Sequence, residues 1–282
     1  MRTLLLGASG FLGQEVLRRM SGKSLTILTT KSLVITTPEI RVIHGHLESS
    51  PVLEMIKEQA FDRIVDCSWI GLPQRTLVNN RANLNQKRLL IEASVKGKVQ
   101  ELNFMGTGLE YGSVTGKVSE KVVGKRVDNF GKIKIEILKL IQNSGIRYRW
   151  FRLFYLLGSN QHKESLIKTA FGMYLKGRNF VPQNPNATFD YVTIEDAATA
   201  IIKSLQIDSC RGVINVGSES LCSVNDIVNS IREYFHLNPI YEMPSPGLYA
   251  DMSKLRNATG WSPIFDKKKS VFAILQELER QL

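Results

Sequence analysis

Three regularly spaced glycines near the amino terminus constrain the fold of this chain more than any other feature. Gly7, Gly10 and Gly13 stand between a short apolar run at residues 3–6 and a stretch with helical periodicity at residues 11–20. Glycines at a strand–helix junction allow a tight turn and bring the backbone close to a phosphate group, which the free N–H groups of the helix then bind. The spacing therefore predicts a dinucleotide-binding turn whose cofactor-contacting residues are Gly7, Ser9, Gly10, Phe11, Leu12 and Gly13.

The remainder of the first half alternates between strand and helix patterns. Apolar runs predict strands at 25–28, 40–43, 63–66, 101–105 and 147–154, and helical periodicity marks 52–59, 84–95 and 132–141. This alternation predicts an α/β fold, a Rossmann-like doubly wound parallel sheet with a smaller, interleaved C-terminal substrate domain. We expect residues 1–158 to form the dinucleotide domain, with elements near 189–217 returning to it, and residues 159–282 to form mainly the substrate-binding portion.

Composition excludes several other classes of protein. With 282 residues, 43% hydrophobic and 22% charged, the chain can build a core and is not of the disordered class. No apolar run reaches the roughly 18 residues of a membrane span, and the amino terminus has too short an apolar stretch for a signal peptide. Three cysteines without metal or disulfide spacing favour a reducing, cytoplasmic location.

The net charge of +11 does not by itself indicate a nucleic-acid binder. The basic residues are spread along the chain, and the one tight run, residues 267–269, is typical of a solvated surface. A diffuse positive charge also attracts small phosphorylated ligands. We therefore expect no nucleic-acid partner and no membrane partner.

The residues after the predicted second strand bear on the choice of cofactor. An acidic residue there would bind the adenosine ribose of NAD, but this chain reads Thr29, Thr30 and Lys31. Hydroxyl groups and a lysine suit the 2′-phosphate of NADP, although Lys31 is equally compatible with a solvated loop. The sequence thus favours NADP(H) over NAD(H).

Read together, several segments resemble the extended short-chain dehydrogenase/reductase family of sugar-nucleotide epimerases, dehydratases and ketoreductases. The resemblance covers nearly the whole chain, and its segments occur in the family's order: the glycine turn, 105–112, 189–196, 215–217, 251–256 and 260–263. The middle segment, with Gly106-Thr107 followed by Glu110-Tyr111-Gly112, is most similar to 4-ketoreductases of nucleotide-linked deoxysugars. The resemblance implies an enzyme that uses a nicotinamide dinucleotide.

The resemblance also implies the catalytic residues. Thr107 matches the hydroxyl that hydrogen-bonds the reacting sugar oxygen, and Lys134 matches the lysine that binds the nicotinamide ribose. The tyrosine that exchanges the proton falls at Phe130, and no tyrosine of this chain has a lysine four residues later. Three interpretations stay open: a Tyr-to-Phe variant that traps substrate, an enzyme with another proton donor, and a binding protein without chemistry.

Further contacts follow from the same resemblance. His46, Leu47, Cys67, Ser68 and Phe154 are expected to complete the cofactor site; two histidines, His44 and His46, are too few to indicate a metal site. Phe189 stands where the family has an arginine that binds the substrate diphosphate. The residues expected on the substrate side are Trp69, Gly108, Tyr155, Lys168 and Arg178.

The sequence therefore favours an NADPH-dependent 4-ketoreductase acting on a nucleotide-linked 4-keto-6-deoxy sugar, with Phe130 as an open question. The alternatives are a nucleotide-sugar 4-epimerase and a catalytically silent NADP-binding regulator. The resemblance also implies a homodimer formed by the helices that contain Leu89, Leu90, Ile133 and Ile137, although burial within the monomer explains those side chains equally well.

Overall fold

The computed structural model describes residues 1–20, 24–33 and 39–282. The strands in this part of the chain are β1 (Thr3–Leu6), β2 (Leu25–Thr29), β3 (Arg41–His44), β4 (Arg63–Asp66), β5 (Glu101–Thr107), β6 (Gly116–Val118), β7 (Arg147–Leu153), β8 (Tyr155–Leu157), β9 (Thr188–Thr193), β10 (Gly212–Val216), β11 (Leu221–Ser223) and β12 (Leu248–Ala250). The helices are α1 (Phe11–Arg19), α2 (Ser50–Glu58), α3 (Leu77–Lys96), α4 (Asn129–Asn143), α5 (Leu166–Tyr174), α6 (Ile194–Leu205), α7 (Val224–Tyr234), α8 (Ser253–Thr259) and α9 (Lys267–Glu279), with one 3-10 turn at Gly108–Tyr111.

Seven strands form a parallel sheet in the order β10-β7-β5-β4-β1-β2-β3. The winding reverses between β1 and β4, so that α1 and α6 cover one face while α2, α3 and α4 cover the other. This arrangement confirms the predicted doubly wound, Rossmann-like α/β fold. A reversal of this kind opens a crevice at the carboxyl ends of the strands, where ligands bind in such sheets.

The buried strand β1 shows why the sheet is covered on both sides. All four of its residues are buried, and successive side chains point to opposite faces: Leu5 packs into the core under α1 and α6, whereas Leu4 and Leu6 pack into the core under α2 and α3. Each fully buried leucine contributes about 1.5–3 kcal/mol to stability. A strand that is apolar on both faces is stable only between two layers of helices.

A second, smaller sheet forms the C-terminal portion, in the order β11-β9-β12-β6, and β8 pairs with the end of β9. The two sheets exchange strands, because β6 comes from the first half of the chain and β10, from the second half, completes the seven-stranded sheet. Helices α5, α7 and α9 pack on the small sheet around their own apolar core. The division of the chain at residues 158/159 stays a prediction.

The fold bears on two expectations about the surface of the protein, the homodimer interface and the membrane. Leu90 and Ile137 lie in the core between the large sheet and its helices, and Leu89 and Ile133 are partly buried. The homodimer therefore stays a prediction. Of the four side chains expected at its interface, Leu89 and Ile133 are the two exposed enough to contact a second copy. None of the described helices is both long and apolar enough to cross a membrane.

Candidate active site

The glycine turn is built for a close approach of backbone and ligand. Gly7 adopts a left-handed φ of +76°, and its carbonyl accepts a hydrogen bond from Gly10 N at 2.9 Å. A Cβ on Gly7 would lie 2.6 Å from Ser68 N, and one on Gly13 would lie 1.9 Å from Gly7 O. Since only glycine fits both positions, β1, α1 and the end of β4 meet at one point. This cradle fits the pyrophosphate of a dinucleotide.

The turn after β2 leaves fewer groups for a ligand than its sequence indicates. The Thr29 hydroxyl is buried, accepts a hydrogen bond from Lys31 N at 3.1 Å and donates one to Lys31 O at 3.0 Å. Thr30 and Lys31 have exposed side chains. The Thr29 hydroxyl thus shapes the turn, and the side chains of Thr30, Lys31 and Ser32 face solvent.

The other expected cofactor residues flank the same crevice. His46 is exposed after β3, and its backbone carbonyl accepts hydrogen bonds from Ser49; Leu47 beside it is buried. Cys67 follows β4, where burial raises the pKa of its thiol far above the ordinary value. No group of three His, Cys, Asp or Glu side chains that could hold a metal occurs in the ranges that the structure describes.

A buried ion pair fixes the segment after β4. The Lys87 ammonium on α3 lies 2.6 Å from Asp66 Oδ2 and donates to Ser68 O and Ser68 Oγ at 2.9 and 2.7 Å. The Ser68 hydroxyl in turn donates to Asp66 Oδ1 at 2.5 Å. Lys87 and Asp66 are both about 2% exposed, so each depends on the other for compensation of its charge. Nothing in the sequence pattern of α3 distinguished Lys87 from its neighbours.

Glu110 holds the backbone of Thr107, the residue expected to be catalytic, in place. Its buried carboxylate accepts hydrogen bonds from Thr107 N, Trp150 Nε1 and Arg152 Nε, each at 2.8 Å. The Thr107 hydroxyl accepts a bond from Leu109 N at 3.2 Å and so caps the 3-10 turn. Together these bonds fix Thr107 at the carboxyl end of β5, inside the crevice.

Lys134 projects from the first turns of α4 into a closed environment. Its ammonium donates to Met105 O at 2.6 Å and lies 3.6 Å from the centre of the Trp69 ring. Burial, aided by the positive charge of Lys87, lowers the pKa of Lys134 to about 7. A lysine that is neutral in half of the molecules near pH 7 can accept or donate hydrogen bonds within a ligand site.

Trp69 and Phe130 form an aromatic wall beside this lysine. Their ring centres are 5.2 Å apart in an edge-to-face arrangement, and Phe130 is 7% exposed. The Trp69 indole N–H is buried and has no acceptor among the described residues. A buried donor without a partner is unfavourable, so this N–H is positioned for an acceptor atom of a bound ligand. Both this donor and the glycine cradle fit a nicotinamide dinucleotide.

One charged residue at this wall was not found from the sequence. Arg75, on the loop between β4 and α3, places its guanidinium carbon 4.7 Å from the centre of the Phe130 ring. It belongs to no motif, and the only local signal was its place in a Gly- and Pro-containing loop after a strand.

The expected substrate side is aromatic. Tyr155, 37% exposed, stacks on Phe189 with ring centres 4.0 Å apart, and both contact the Tyr191 ring at 5.9 Å. Gly108 lies against the buried ring of Phe154, which would be 3.3 Å from a Cβ at position 108. Lys168 lies on α5 and Arg178 is exposed on the turn after it. Phe189 therefore leaves no cation at the position where the family has one.

The family of this chain follows from its match to a known family of sequences. The sequence pattern of the "NAD dependent epimerase/dehydratase family" matches residues 3–217, about three quarters of the chain. The chain belongs to this family. The match confirms the resemblance seen in the sequence, and it identifies the chain as a member of a family of enzymes.

Solved structures of epimerase/dehydratase relatives share the fold at low sequence identity. MoeE5 in complex with UDP-glucuronic acid and NAD superposes with a TM-score of 0.87 at 21% identity, and the match covers 100% of both chains. WbmG from Bordetella bronchiseptica in complex with NAD and UDP gives 0.84 at 18% identity, over 99% of this chain and 94% of the other. A tyrosine-to-phenylalanine mutant of UDP-glucuronic acid 4-epimerase from Bacillus cereus, bound to NAD and UDP-4-deoxy-4-fluoro-glucuronic acid, gives 0.84 at 18% identity with complete coverage of both chains.

Proposed function

We propose that this chain is an NADPH-dependent reductase that converts the 4-keto group of a nucleotide-linked deoxysugar to a hydroxyl. The observation that carries the proposal is the set of expected catalytic residues: Thr107 and Lys134 are present and held by hydrogen bonds at the end of β5, whereas Phe130 lacks the hydroxyl of the family's acid/base residue. The chain retains residues that would polarise a carbonyl and bind a cofactor, and at position 130 it lacks the hydroxyl that exchanges a proton.

Its own residues would hold the dinucleotide as follows. The glycine turn and the start of α1 would bind the pyrophosphate, and Lys134 with the Trp69 indole N–H would face the nicotinamide ribose. The bound cofactor would supply a hydride. The Thr107 hydroxyl would donate a hydrogen bond to the carbonyl oxygen, since its own oxygen already accepts one from Leu109 N.

Reduction fits these residues better than epimerisation does. An epimerase first oxidises an alcohol, and this step needs a base to take the hydroxyl proton. Arginine stays protonated in proteins, and the phenyl ring of Phe130 has no acid or base function. Reduction of a ketone needs only stabilisation of the charge that forms on oxygen, followed by a proton that solvent can provide.

The choice of NADPH rests on the turn after β2. Thr30 and Lys31 are exposed there and no carboxylate is present to bind a ribose hydroxyl. Replacement of Lys31 by alanine is therefore expected to raise KM for NADPH about tenfold and to leave KM for NADH unchanged. Equal effects on both cofactors would contradict the assignment of Lys31 to the 2′-phosphate.

A second candidate is a 4-epimerase that uses NAD. The relatives crystallised with UDP-sugars and NAD favour it, and the Bacillus cereus mutant shows that a tyrosine-to-phenylalanine change is compatible with a bound substrate analogue. In that case Phe130 makes the present chain a substrate-trapping form of an epimerase. A silent NADP-binding protein would explain Phe130 but not the fixed positions of Thr107 and Lys134.

We further propose that the working form is a homodimer.

The deciding experiment restores the hydroxyl in a Phe130→Tyr variant. NADPH and NADH oxidation is followed with nucleotide-linked 4-keto-6-deoxy sugars, and interconversion of UDP-sugars is followed by chromatography. We expect 4-ketoreductase activity in both proteins, with the variant about 10²–10⁴-fold faster, the usual contribution of a general acid. UDP-sugar interconversion by Phe130→Tyr without ketone reduction would establish the epimerase, and binding of NADPH without any turnover would establish the silent binder.

A further inference from the structure

The guanidinium of Arg75 occupies the face of the ring that stands at the catalytic position. Its Cζ atom is 4.7 Å from the centre of the Phe130 ring, within the range of a cation–π contact. Burial raises the pKa of the Tyr155 hydroxyl, and the nearby charge of Arg75 partly offsets this rise. The Arg75 guanidinium therefore lies against the Phe130 ring and is near enough to Tyr155 for its charge to act on the phenol.

The loop that carries Arg75 is held in a defined shape. Arg75 has a left-handed φ of +43°, and its N–H donates to Gly71 O at 3.1 Å. The buried side chain of Asn83 binds both backbone groups of Ile70, accepting from its N–H at 2.9 Å and donating to its carbonyl at 3.0 Å. A left-handed backbone at a non-glycine residue is unfavourable by about 1 kcal/mol or more and occurs mostly where surrounding structure imposes it.

We propose that Arg75 stabilises the negative charge that develops on the substrate oxygen during reduction, in place of the hydroxyl that Phe130 lacks. This inference rests on the reductase function proposed above. A hydride from the reduced dinucleotide adds to the carbonyl carbon, and the π electron pair of the C=O bond moves to oxygen. The resulting alkoxide pairs with the guanidinium and then takes a proton from water, and the buffer neutralises the hydroxide that remains.

The position of Arg75 assigns it to the reacting oxygen rather than to a remote group of the substrate. A family tyrosine at position 130 would direct its hydroxyl to that oxygen, and the guanidinium lies against the same ring. Its five N–H donors are fixed in a plane and stay charged at neutral pH, so they suit an oxyanion. Removal of one such donor lowers kcat by about 10²–10³-fold in other enzymes.

The first test is a double-mutant cycle on turnover. Arg75→Met is expected to lower kcat about 100-fold with little change in KM, and the loss should shrink below about tenfold in the Phe130→Tyr background, because the restored phenol does the same work. Added guanidinium chloride at millimolar concentration should restore part of the activity of an Arg75→Ala variant. Arg88→Met, at an exposed arginine on α3, is the matched control and should change neither constant.

The second test does not depend on activity. In Phe130→Tyr the introduced phenol is titrated by NMR with ¹³C-labelled tyrosine, in the presence and absence of Arg75→Met. A guanidinium against the ring should make the phenol ionise about one pH unit lower at low salt. The Lys134 ammonium, 5.6 Å from the centre of this ring, also acts on the phenol, but it is common to both variants.

The outcomes separate this inference from the function on which it rests. Three outcomes would overturn the role of Arg75 and leave the reductase intact. They are a kcat unchanged by Arg75→Met, equal losses of kcat in the parent and Phe130→Tyr backgrounds, and a change confined to KM. An unshifted phenol would overturn the role of Arg75 as well. Absence of turnover by every variant would refute the reductase, and the charge-stabilising role would fall with it.

Discussion

At the scale of single residues, Lys134 combines a proposed role in cofactor binding with a loss of stability. Lys134 is 6% exposed, and its ammonium lies near the Trp69 and Phe130 rings and Met105 O. Burial, with the charge of Lys87 added, lowers its pKa to about 7, so folding favours the neutral amine. A charged group kept in such surroundings reduces stability, and proteins retain such groups where activity needs them.

Replacement of Lys134 by methionine should therefore stabilise the fold while it weakens cofactor binding. Because the folded-state pKa lies below that of the unfolded chain, the parent protein loses stability as the pH falls from about 10 to about 7, and the variant lacks this loss. The free energy of unfolding of Lys134→Met minus that of the parent should grow over this interval and then level off. Urea denaturation at several pH values measures it; a difference that stays constant between pH 7 and 10 would contradict the explanation.

The sequence predicted some residues of the site and not others for a physical reason. Phe130 and Lys134 share one turn of one helix, so their spacing is visible in a single segment. Thr107 is visible in the same way, but the Glu110 carboxylate that supports it is held by Trp150 and Arg152 of β7, 40 and 42 residues further along the chain. Contacts between distant segments depend on strand order and register, which local patterns do not contain.

At the scale of elements, the glycine turn has little room for any other residue. A Cβ on Gly13 would lie 1.9 Å from the carbonyl oxygen of Gly7 and 2.7 Å from its carbon, and backbone atoms cannot rotate away as a side chain can. In contrast, nothing lies within 4 Å of a Cβ placed on Gly172 in α5. Gly13 and Gly172 thus both lie in helices, but a Cβ would meet backbone atoms at Gly13 and open space at Gly172.

Gly13→Ala should accordingly open the turn, lower the free energy of unfolding by about 1–3 kcal/mol and abolish NADPH binding. Gly172→Ala should raise the free energy of unfolding by up to about 1 kcal/mol, since alanine is the better helix former, and leave NADPH binding unchanged. Thermal denaturation and NADPH fluorescence titration give both quantities. NADPH binding by Gly13→Ala with parental affinity would exclude the turn as the cofactor cradle.

Element boundaries show where local patterns were insufficient. The pattern predicted a helix at 84–95, whereas α3 begins at Leu77. The first two turns were missed because they are rich in asparagine and carry no apolar periodicity. Asn80 and Asn83 hydrogen-bond the neighbouring loop, at Arg75 O and at the backbone of Ile70. The short strands β6, β8, β11 and β12 were not predicted. Each has three residues, too few for an alternation to be recognised, and each depends on pairing with another segment.

At the scale of the whole molecule, the two sheets share the chain. The large sheet ends in β10, which pairs with β7 over residues 212–216, and the small sheet ends in β6, which pairs with β12 over residues 116–118. Asp190 adds a buried connection, because its carboxylate accepts hydrogen bonds from the backbone of Ser218, Glu219 and Ala250. Neither half of the chain completes its own sheet.

We therefore expect fragments 1–158 and 159–282 to fail to fold when produced separately and to associate when produced together. Each fragment alone exposes the strand edge that its partner covers, and an exposed edge promotes aggregation. Co-purification of an untagged fragment with a tagged one, together with recovered NADPH binding, is the measurement. A soluble, NADPH-binding fragment 1–158 would show that β10 is dispensable.

The mutual exchange of strands also bears on how a ligand enters. Two lobes that each held a complete sheet could swing apart on a hinge, but here such a movement would pull β6 or β10 out of its pairing. We expect the crevice to keep a nearly constant width, with admission governed by short segments at its rim. We expect the loop from Ile70 to Thr76, whose Arg75 contacts Phe130, to be one of these segments. Changes that loosen it should then alter the rate of substrate arrival and product departure rather than the shape of the enzyme.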